Sequence, residues 1–127
     1  MKRILLCIVM ATMIAIQSDA QTNKVYDRVE VMPEFPGGMQ ALFEYMQNNI
    51  KYPEEAQKQE IEGRVIVGFI VEKDGSIAEV HTLTAVHPLL DKEALQLVNN
   101  MPKWKPGKEK GKAVRVSFAL PVNFNLK

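Results

Sequence analysis

The sequence predicts an α+β fold: a small three-stranded antiparallel sheet with helices packed on one face. Three observations support this class. In the stretch Ala113–Phe124, every even position from Val114 onward is apolar, which is the period-2 pattern of a strand with one face on a core. The stretch Arg64–Val71 is apolar on both faces and lacks proline, as expected of a central strand. Two further segments carry apolar residues at helical spacing.

Residues 1–20 are predicted to be a secretory signal peptide. A basic pair precedes the apolar stretch Ile4–Ile16, and Ser18 and Ala20 are small residues at positions −3 and −1 of a cleavage site. An uncleaved membrane anchor is the alternative, but such a short apolar helix would span only about 20 Å of a hydrocarbon core of roughly 30 Å. We therefore expect the chain to be exported.

The exported part, Gln21–Lys127, is long enough for one small domain. Without the charged residues of the signal segment, 14 basic and 14 acidic residues remain. This neutrality argues against nucleic acid as the main partner, since phosphate binding needs a positive field. The only cysteine, Cys7, lies in the signal segment, so we expect neither a disulfide nor a reactive thiol in the exported domain.

An N-terminal extension, residues 21–38, is expected to precede the main domain, residues 39–127. Val25–Met32 is a candidate for a short leading strand, and the Pro- and Gly-rich run Pro33–Gly38 then interrupts regular structure. A helix should follow, because apolar residues recur at i, i+3, i+4, i+7 and i+11. The residues expected on its core face are Met39, Leu42, Phe43, Met46 and Ile50.

Tyr52-Pro53 is predicted to open a short second helix, since proline is tolerated at the first helical position. Lys73-Asp74-Gly75 predicts a two-residue hairpin turn, so Ser76–Thr84 should pair antiparallel with the central strand. The apolar residues of this strand do not alternate strictly, which suggests a bulge. A third helix, Pro88–Met101, is long enough to cross the sheet. The last strand then takes the free side of the central one, giving the order second, first, third.

Pro121 bears on where the last strand lies in this sheet. Proline cannot donate a ladder hydrogen bond, so its presence inside the strand favours a position at the sheet edge. An unpaired edge accepts a strand from another chain. Both outer strands are edges, and the last one is the more regular template. Exposed edges also leave a homodimer open, formed by edge pairing or strand exchange.

Catalysis finds no support in the sequence. His81 and His87 do not supply a set of three zinc ligands, and Ser76 and Ser117 lack a nucleophile elbow or a neighbouring base. We therefore expect no enzymatic activity, no cofactor and no metal. A basic cluster before the last strand is interpreted as a solvated loop, with an anion site as the alternative. Its members are Lys103, Lys105, Lys108, Lys110, Lys112 and Arg115.

A set of short motifs, in this order and spacing, closely resembles the C-terminal domain of TonB. The motifs are Tyr52-Pro53, Glu62-Gly63, Asp74-Gly75, Leu89-Leu90-Asp91, Trp104-Lys105-Pro106-Gly107 and the terminal strand to Phe124. With Met32–Gly38 ahead of them, the chain is similar to the form found in Bacteroidetes. The resemblance covers Val29 to Leu126.

The resemblance implies a binding function in the periplasm. TonB family proteins transmit energy from the inner-membrane proton gradient to outer-membrane transporters, and their C-terminal domain captures a TonB box of the transporter by strand addition beside its last strand. By this analogy, Tyr52, Pro53 and Trp104 would shape or support the nearby surface, although Trp104 is as readily interpreted as a buried anchor of the final loop. The main-chain partners would be Ala113, Val114, Arg115, Val116, Ser117, Phe118 and Ala119.

A complete TonB also has a membrane-spanning helix that engages ExbB and ExbD, and a long proline-rich spacer. Neither is recognisable in this sequence, so we expect an accessory module that engages TonB boxes, TonB itself or the ExbB–ExbD complex. One alternative is a short energy transducer associated with the inner membrane through an uncleaved first segment. The other is an interaction module that binds cell-wall glycan or a signalling protein through the basic loop Lys105–Lys112.

Overall fold

The structure is a computed structural model that describes residues 24–126, so the predicted signal peptide lies outside the described residues. Within that range the chain forms five strands and three helices. In chain order they are β1 (Val25–Tyr26), α1 (Gly38–Asn49), α2 (Glu54–Lys58), β2 (Gly63–Val71), β3 (Ile77–Thr84), α3 (Pro88–Asn99), β4 (Gly107–Glu109) and β5 (Lys112–Phe124). None of the helices within residues 24–126 is both long and apolar enough to cross a membrane.

A sheet with the order β1-β5-β2-β3 forms the centre of the fold. β2 pairs antiparallel with β3 on one side and with β5 on the other, which confirms the predicted order of the three main strands and the α+β class. β1 adds a parallel strand beside β5, and β4 forms an antiparallel hairpin with the start of β5. The predicted count of three strands was too low, because β1 and β4 have only 2 and 3 residues and leave no period-2 signal.

The ladder between β2 and β5 is continuous. Gly63–Val71 runs in register with Val116–Phe124 over 9 successive pairs. Alternate side chains of both strands face the helices, and each fully buried Val, Leu or Phe stabilises the fold by about 1.5–3 kcal/mol relative to an exposed one. These buried side chains are Val65, Val67, Phe69, Val71, Val116, Leu120, Val122 and Phe124. The ladder therefore fixes β5 along most of its length.

β3 pairs less regularly with β2, as its sequence pattern suggested. The register shifts at two places, and Glu79 has a positive φ of 51°, which bends this strand locally. The N–H of Glu72 donates to the carbonyl of Ser76 at 2.8 Å, so the turn before β3 has three residues, 73–75, and the prediction of a two-residue turn was wrong. The longer turn closes around Asp74, whose carboxylate accepts the N–H of Ser76 at 2.9 Å, and around Gly75, whose carbonyl accepts the N–H of Trp104 at 2.8 Å.

α3 provides most of the helical contribution to the core. It begins where the Nδ1 atom of His87 accepts the N–H of Leu89 at 3.1 Å, and Pro88 occupies the first helical turn. It ends at Asn99, two residues before the predicted end. Its buried residues are Leu90, Ala94, Leu97 and Val98. α2 contributes the buried Ala56.

α1 faces the core through a different set of residues from the one predicted, namely Ala41, Leu42, Tyr45, Met46 and Ile50. Leu42 is 1% exposed, but Met39 and Phe43 are 61% and 55% exposed. Phe35 is 6% exposed, and its ring packs on that of Tyr45 with a centroid distance of 5.5 Å. The core face of α1 is thus rotated toward Ala41 and Tyr45 and away from Met39 and Phe43.

The residues before α1 run along β4. Val31 and Glu34 form antiparallel bridges with Lys108 and Lys105, and Val29 is 9% exposed. Of the predicted leading strand Val25–Met32, only Val25–Tyr26 is a regular strand. Residues 29–35 are thus packed on the sheet, although the sequence predicted an interruption of regular structure from Pro33 onward.

Candidate strand-binding edge

The candidate site is the edge of β5 that faces away from β2. Val116 pairs with Val71 of β2 and with Tyr26 of β1, so these two strands lie on opposite sides of β5. β1 covers only Arg115 and Val116. From Ser117 to Phe124, no strand of residues 24–126 pairs with this side of β5. Main-chain groups on this side of the stretch therefore have no strand partner, and Ala119, Pro121 and Asn123 are exposed along it.

The predicted partner segment Ala113–Ala119 is divided by this arrangement into three parts. Its first two residues pair with β4, while Arg115 and Val116 pair with β1. Ser117–Ala119 pairs with β2 alone, so its outer side is open, and the open edge continues to Phe124. The sequence did not reveal the partial cover because a two-residue strand carries no periodic signal.

Pro121 lies within the open part of the edge, opposite Ile66 of β2, and it is exposed. β1 is outermost in the strand order, but from Ser117 onward β5 itself is the edge of the described sheet. This is the environment in which a strand tolerates a residue that has no N–H donor. The location inferred from Pro121 therefore holds for the second half of the strand.

A shallow groove of about 340 Å³ lies on the helix-free face beside this edge. Ser117 and Ala119 of β5 and Gly68 of β2 are small residues in its lining. His81 and Leu83 of β3 lean over Gly68, since a Cβ added there would lie 3.0 Å from His81 Nε2 and from Leu83 Cγ. The groove therefore spans the helix-free face from Val25 of β1, across β5 and β2, to Leu83 of β3.

Trp104 is a buried member of an aromatic cluster on the core side of β5. It is 4% exposed, and its ring centroid lies 5.1 Å from that of Phe118, 5.5 Å from Phe69 and 5.7 Å from Phe35. These rings meet edge to face, an arrangement worth about 0.5–1.5 kcal/mol per pair beyond area burial. Trp104 anchors the loop before β4 and reaches the candidate edge only through Phe118.

Tyr52 and Pro53 lie near the far end of β5. The Tyr52 hydroxyl donates a hydrogen bond to the carbonyl oxygen of Ile61, and its ring meets Phe124 edge-on with centroids 5.5 Å apart. Burial, followed by the negative charge of Glu62, raises the pKa of Tyr52. Pro53 directly precedes α2. Phe124, which Tyr52 contacts, lies six residues along β5 from Phe118, which Trp104 contacts. A strand rises about 3.3 Å per residue, so Tyr52 is roughly 20 Å from the Trp104 cluster and the structure does not bring them together.

Arg115 is the charged side chain at the covered part of the edge. Its Nε and Nη2 atoms donate to the two carboxylate oxygens of Glu72 at 2.7 and 3.1 Å, and Nη2 lies 3.6 Å from Glu79. The hydrogen bonds from Arg115 to Glu72 raise the pKa of the guanidinium, so it is charged at all physiological pH values. The group links β5 to the end of β2 and to the bulge of β3.

Two other members of the basic cluster pair with separate carboxylates. Lys103 lies 3.8 Å from Asp74, and Lys105 lies 3.7 Å from Glu34. Both pairs are exposed, where an ion pair contributes little to stability. Across residues 24–126, no group of three His, Cys, Asp or Glu side chains is arranged to hold a metal ion.

The geometry defines the class of protein: a small α+β domain with a long, partly open strand at one edge of its sheet. Residues 48–126 match the family described as Gram-negative bacterial TonB protein C-terminal, and this match covers more than half of the chain. The chain therefore belongs to the TonB C-terminal domain family, which confirms the resemblance seen in the motifs.

Two solved structures of one relative support the same fold. Two solution structures of the Helicobacter pylori TonB C-terminal domain each superpose with a TM-score of 0.54, at 23% and 24% sequence identity. Each match covers 70% of this chain, and 80% and 94% of the respective Helicobacter chains. A solution structure of the Pseudomonas aeruginosa TonB C-terminal domain is 29% identical over 61% of this chain and 80% of its own, with a TM-score of 0.45. A comparison with curated proteins found no match.

Proposed function

We propose that this chain is a binding module of TonB-dependent transport that captures a TonB-box segment of an outer-membrane transporter by strand addition to β5. The observation that carries the proposal is the ladder of 9 in-register pairs between β2 and β5. An edge held in continuous register by such a ladder presents its N–H and C=O groups at regular spacing, as an added strand requires. The proposed main-chain partners are those of Ala113–Ala119.

The other outer strand of the described sheet, β3, is the poorer template. Its two register shifts and the positive φ of Glu79 interrupt the regular spacing of main-chain groups. Bulges of this kind discourage strand addition at sheet edges. Between Ser117 and Phe124, β5 has no register shift. The difference favours β5 as the edge that receives a partner.

The expected affinity is low. Four or five main-chain hydrogen bonds contribute about 1 kcal/mol each, and ordering a flexible peptide offsets part of that gain. Binding in the micromolar to millimolar range follows, which suits a partner that must be released. Tension along the paired strands would load several hydrogen bonds together, so weak equilibrium binding is compatible with transmission of force.

The family indicates where such a module acts and how it acts. TonB C-terminal domains are periplasmic in general, and they act through protein contacts rather than catalysis. We extend both properties to this chain and assign it an accessory role beside TonB and the ExbB–ExbD complex. A second copy of the chain is a further source of an added strand, so a homodimer would use the same edge.

The test is an NMR titration of ¹⁵N-labelled protein with TonB-box peptides from transporters of the same cell. Two controls match the peptide in composition: a scrambled sequence, and the same sequence with alternate main-chain nitrogens methylated to remove the donors of one edge. We expect saturable chemical-shift changes centred on Ala113–Ala119 with the native peptide, and none with either control. Equal binding of the methylated peptide would contradict strand addition, and no shift at millimolar peptide would contradict the function itself.

A further inference from the structure

We propose that residues 24–27 act as a built-in competitor strand, which occupies part of the β5 edge and must leave before a partner pairs with its full length. The inference rests on the proposed function and concerns the regulation of the same edge. Three features of the segment support it: its position on the edge, the small number of its contacts, and the firm attachment of the residues that follow it.

β1 lies where an added strand would lie. Val25 is opposite Arg115 and Tyr26 is opposite Val116, on the side of β5 away from β2. The hydroxyl of Ser117 donates a hydrogen bond to the carboxylate of Asp27 at 2.9 Å. The segment therefore extends to the first residue of the open edge. A partner strand that paired with all of Ala113–Ala119 would need main-chain groups that β1 now covers.

The hold on β1 is weak. It forms two residue pairs, and Val25 is 38% exposed. The ring of Tyr26 is half-buried, and the ammonium group of Lys24 lies 4.7 Å from its centroid. No residue of β1 belongs to the buried core. A strand this short with so little apolar burial opens at a small fraction of the cost of unfolding the domain.

The residues that follow β1 are attached more firmly. Val29 is 9% exposed, and Val31 exchanges two main-chain hydrogen bonds with Lys108 at 3.0 and 2.8 Å. The N–H of Glu30 donates to the carboxylate of Glu109 at 2.9 Å, and the carboxylate of Glu30 accepts the N–H of Lys110 at 2.7 Å. When β1 detaches, this attachment keeps it close to the edge, where a short tether gives an effective concentration on the order of millimolar.

Occupation of the edge by β1 weakens the apparent affinity for a partner strand. The apparent dissociation constant equals the intrinsic one divided by the fraction of time that the edge is open. If β1 is in place for about nine-tenths of the time, its removal tightens binding about tenfold. The same cover shields the edge from unrelated strands and from a second copy of the chain.

Point substitutions in the full chain test this role. Tyr26→Pro removes an N–H donor from β1. Asp27→Ala removes the nearer acceptor of the Ser117 hydroxyl and leaves only the carbonyl oxygen of Tyr26, at 3.4 Å. Neither substitution alters β5. Arg28→Ala changes an exposed residue just after the segment and is the matched control. Each protein is recovered from the envelope of a Gram-negative host, so that its first residues are those that export leaves. Affinity for one TonB-box peptide is then measured by NMR titration.

We expect binding to tighten about tenfold with Tyr26→Pro, about threefold with Asp27→Ala, and not at all with Arg28→Ala. The amides of Arg115–Ser117 should exchange with solvent faster in the first two proteins before peptide is added. Equal or weaker binding by these variants would overturn the competitor role and leave the proposed function standing. Absence of binding to all four proteins, wild type included, would overturn the proposed function and this inference with it.

Discussion

Gly75 lies in the turn between β2 and β3 with a φ of +89°, and a Cβ added there would overlap the carbonyl oxygen of Trp104. Gly111, in the turn between β4 and β5, has a similar φ of +77° but nothing within 4 Å of an added Cβ. Comparison of substitutions at Gly75 and Gly111 separates the energetic cost of the left-handed backbone from the cost of the steric clash with Trp104. The turn beside Trp104 therefore tolerates only glycine, for two independent reasons.

We expect Gly75→Ala to lower the free energy of unfolding by at least about 3 kcal/mol, and Gly111→Ala by about 1 kcal/mol. The first substitution strains the backbone and also displaces the Trp104 loop, whereas the second strains the backbone alone. Urea unfolding followed by tryptophan fluorescence measures both values. Similar losses for the two variants would show that Trp104 does not pack against the turn.

Asp74 is the second residue that shapes this turn. The hydroxyl and then the N–H of Ser76 donate to its carboxylate and lower the pKa of Asp74, and Lys103 adds a smaller effect in the same direction. A carboxyl group with a lowered folded-state pKa stabilises the fold above its unfolded-state pKa. That stabilisation is lost as the pH falls through the folded-state value.

The stability difference between wild type and Asp74→Ala should therefore be constant near neutral pH and shrink as the pH falls below about 4. Denaturant midpoints measured from pH 6 to pH 2 test this dependence. A parallel series with Asp91→Ala, in the first turn of α3, serves as a control in which the carboxylate accepts one main-chain N–H, that of Val86. A difference that grows toward low pH would contradict the assignment of the Ser76 hydrogen bonds.

At the scale of elements, the predictable parts of the fold are those in which one strand or helix has a periodic face. The alternation from Val114 to Phe124 predicted β5, and the apolar run Arg64–Val71 predicted β2, because the pattern of apolar residues follows the burial of side chains along a strand. Helical periodicity gave α1 but assigned the wrong core residues to its start. Ala41 and Tyr45 face the core instead, and Phe35 packs on Tyr45 from outside the helix, a contact that no local pattern records.

Phe35→Ala should lower the free energy of unfolding by about 3 kcal/mol, since it leaves a cavity beside Tyr45 and Trp104. Phe43→Ala is the matched control, because the same side chain is removed from a position that is 55% exposed. Its effect should lie within about 0.5 kcal/mol of zero. Thermal or urea unfolding of the two variants decides between the structure and the periodicity, which predicts a large loss at Phe43.

The candidate site was predictable in part for the same physical reason. Pro121 and the regular pattern of the last strand indicated an edge, and the edge is open from Ser117 onward. The cover over Arg115 and Val116 was not predictable, since β1 is held by main-chain pairing and by the hydrogen bond between Ser117 and Asp27. Main-chain contacts depend on where the chain returns in space, and residue types do not encode them locally.

At the scale of the whole molecule, the sheet offers two outer sides with different properties. One side carries β3, which is irregular and contains the positive-φ residue Glu79. The other carries β5, which pairs with β2 in continuous register and is covered at one place by β1. The helices occupy the core face, so a partner strand is free to extend the sheet beside β5 without displacing them. An added strand would extend the main-chain hydrogen bonding across the domain, so tension on the partner would be transmitted to the sheet.

The most direct test of this account is the set of intermolecular nuclear Overhauser effects between an unlabelled TonB-box peptide and the isotope-labelled chain. The account predicts contacts between peptide backbone protons and those of Ser117–Ala119, extending to Arg115 and Val116 when Tyr26→Pro removes β1. Contacts confined to Ile77–Thr84 of β3, or to the exposed lysines of the basic cluster, would contradict strand addition at β5.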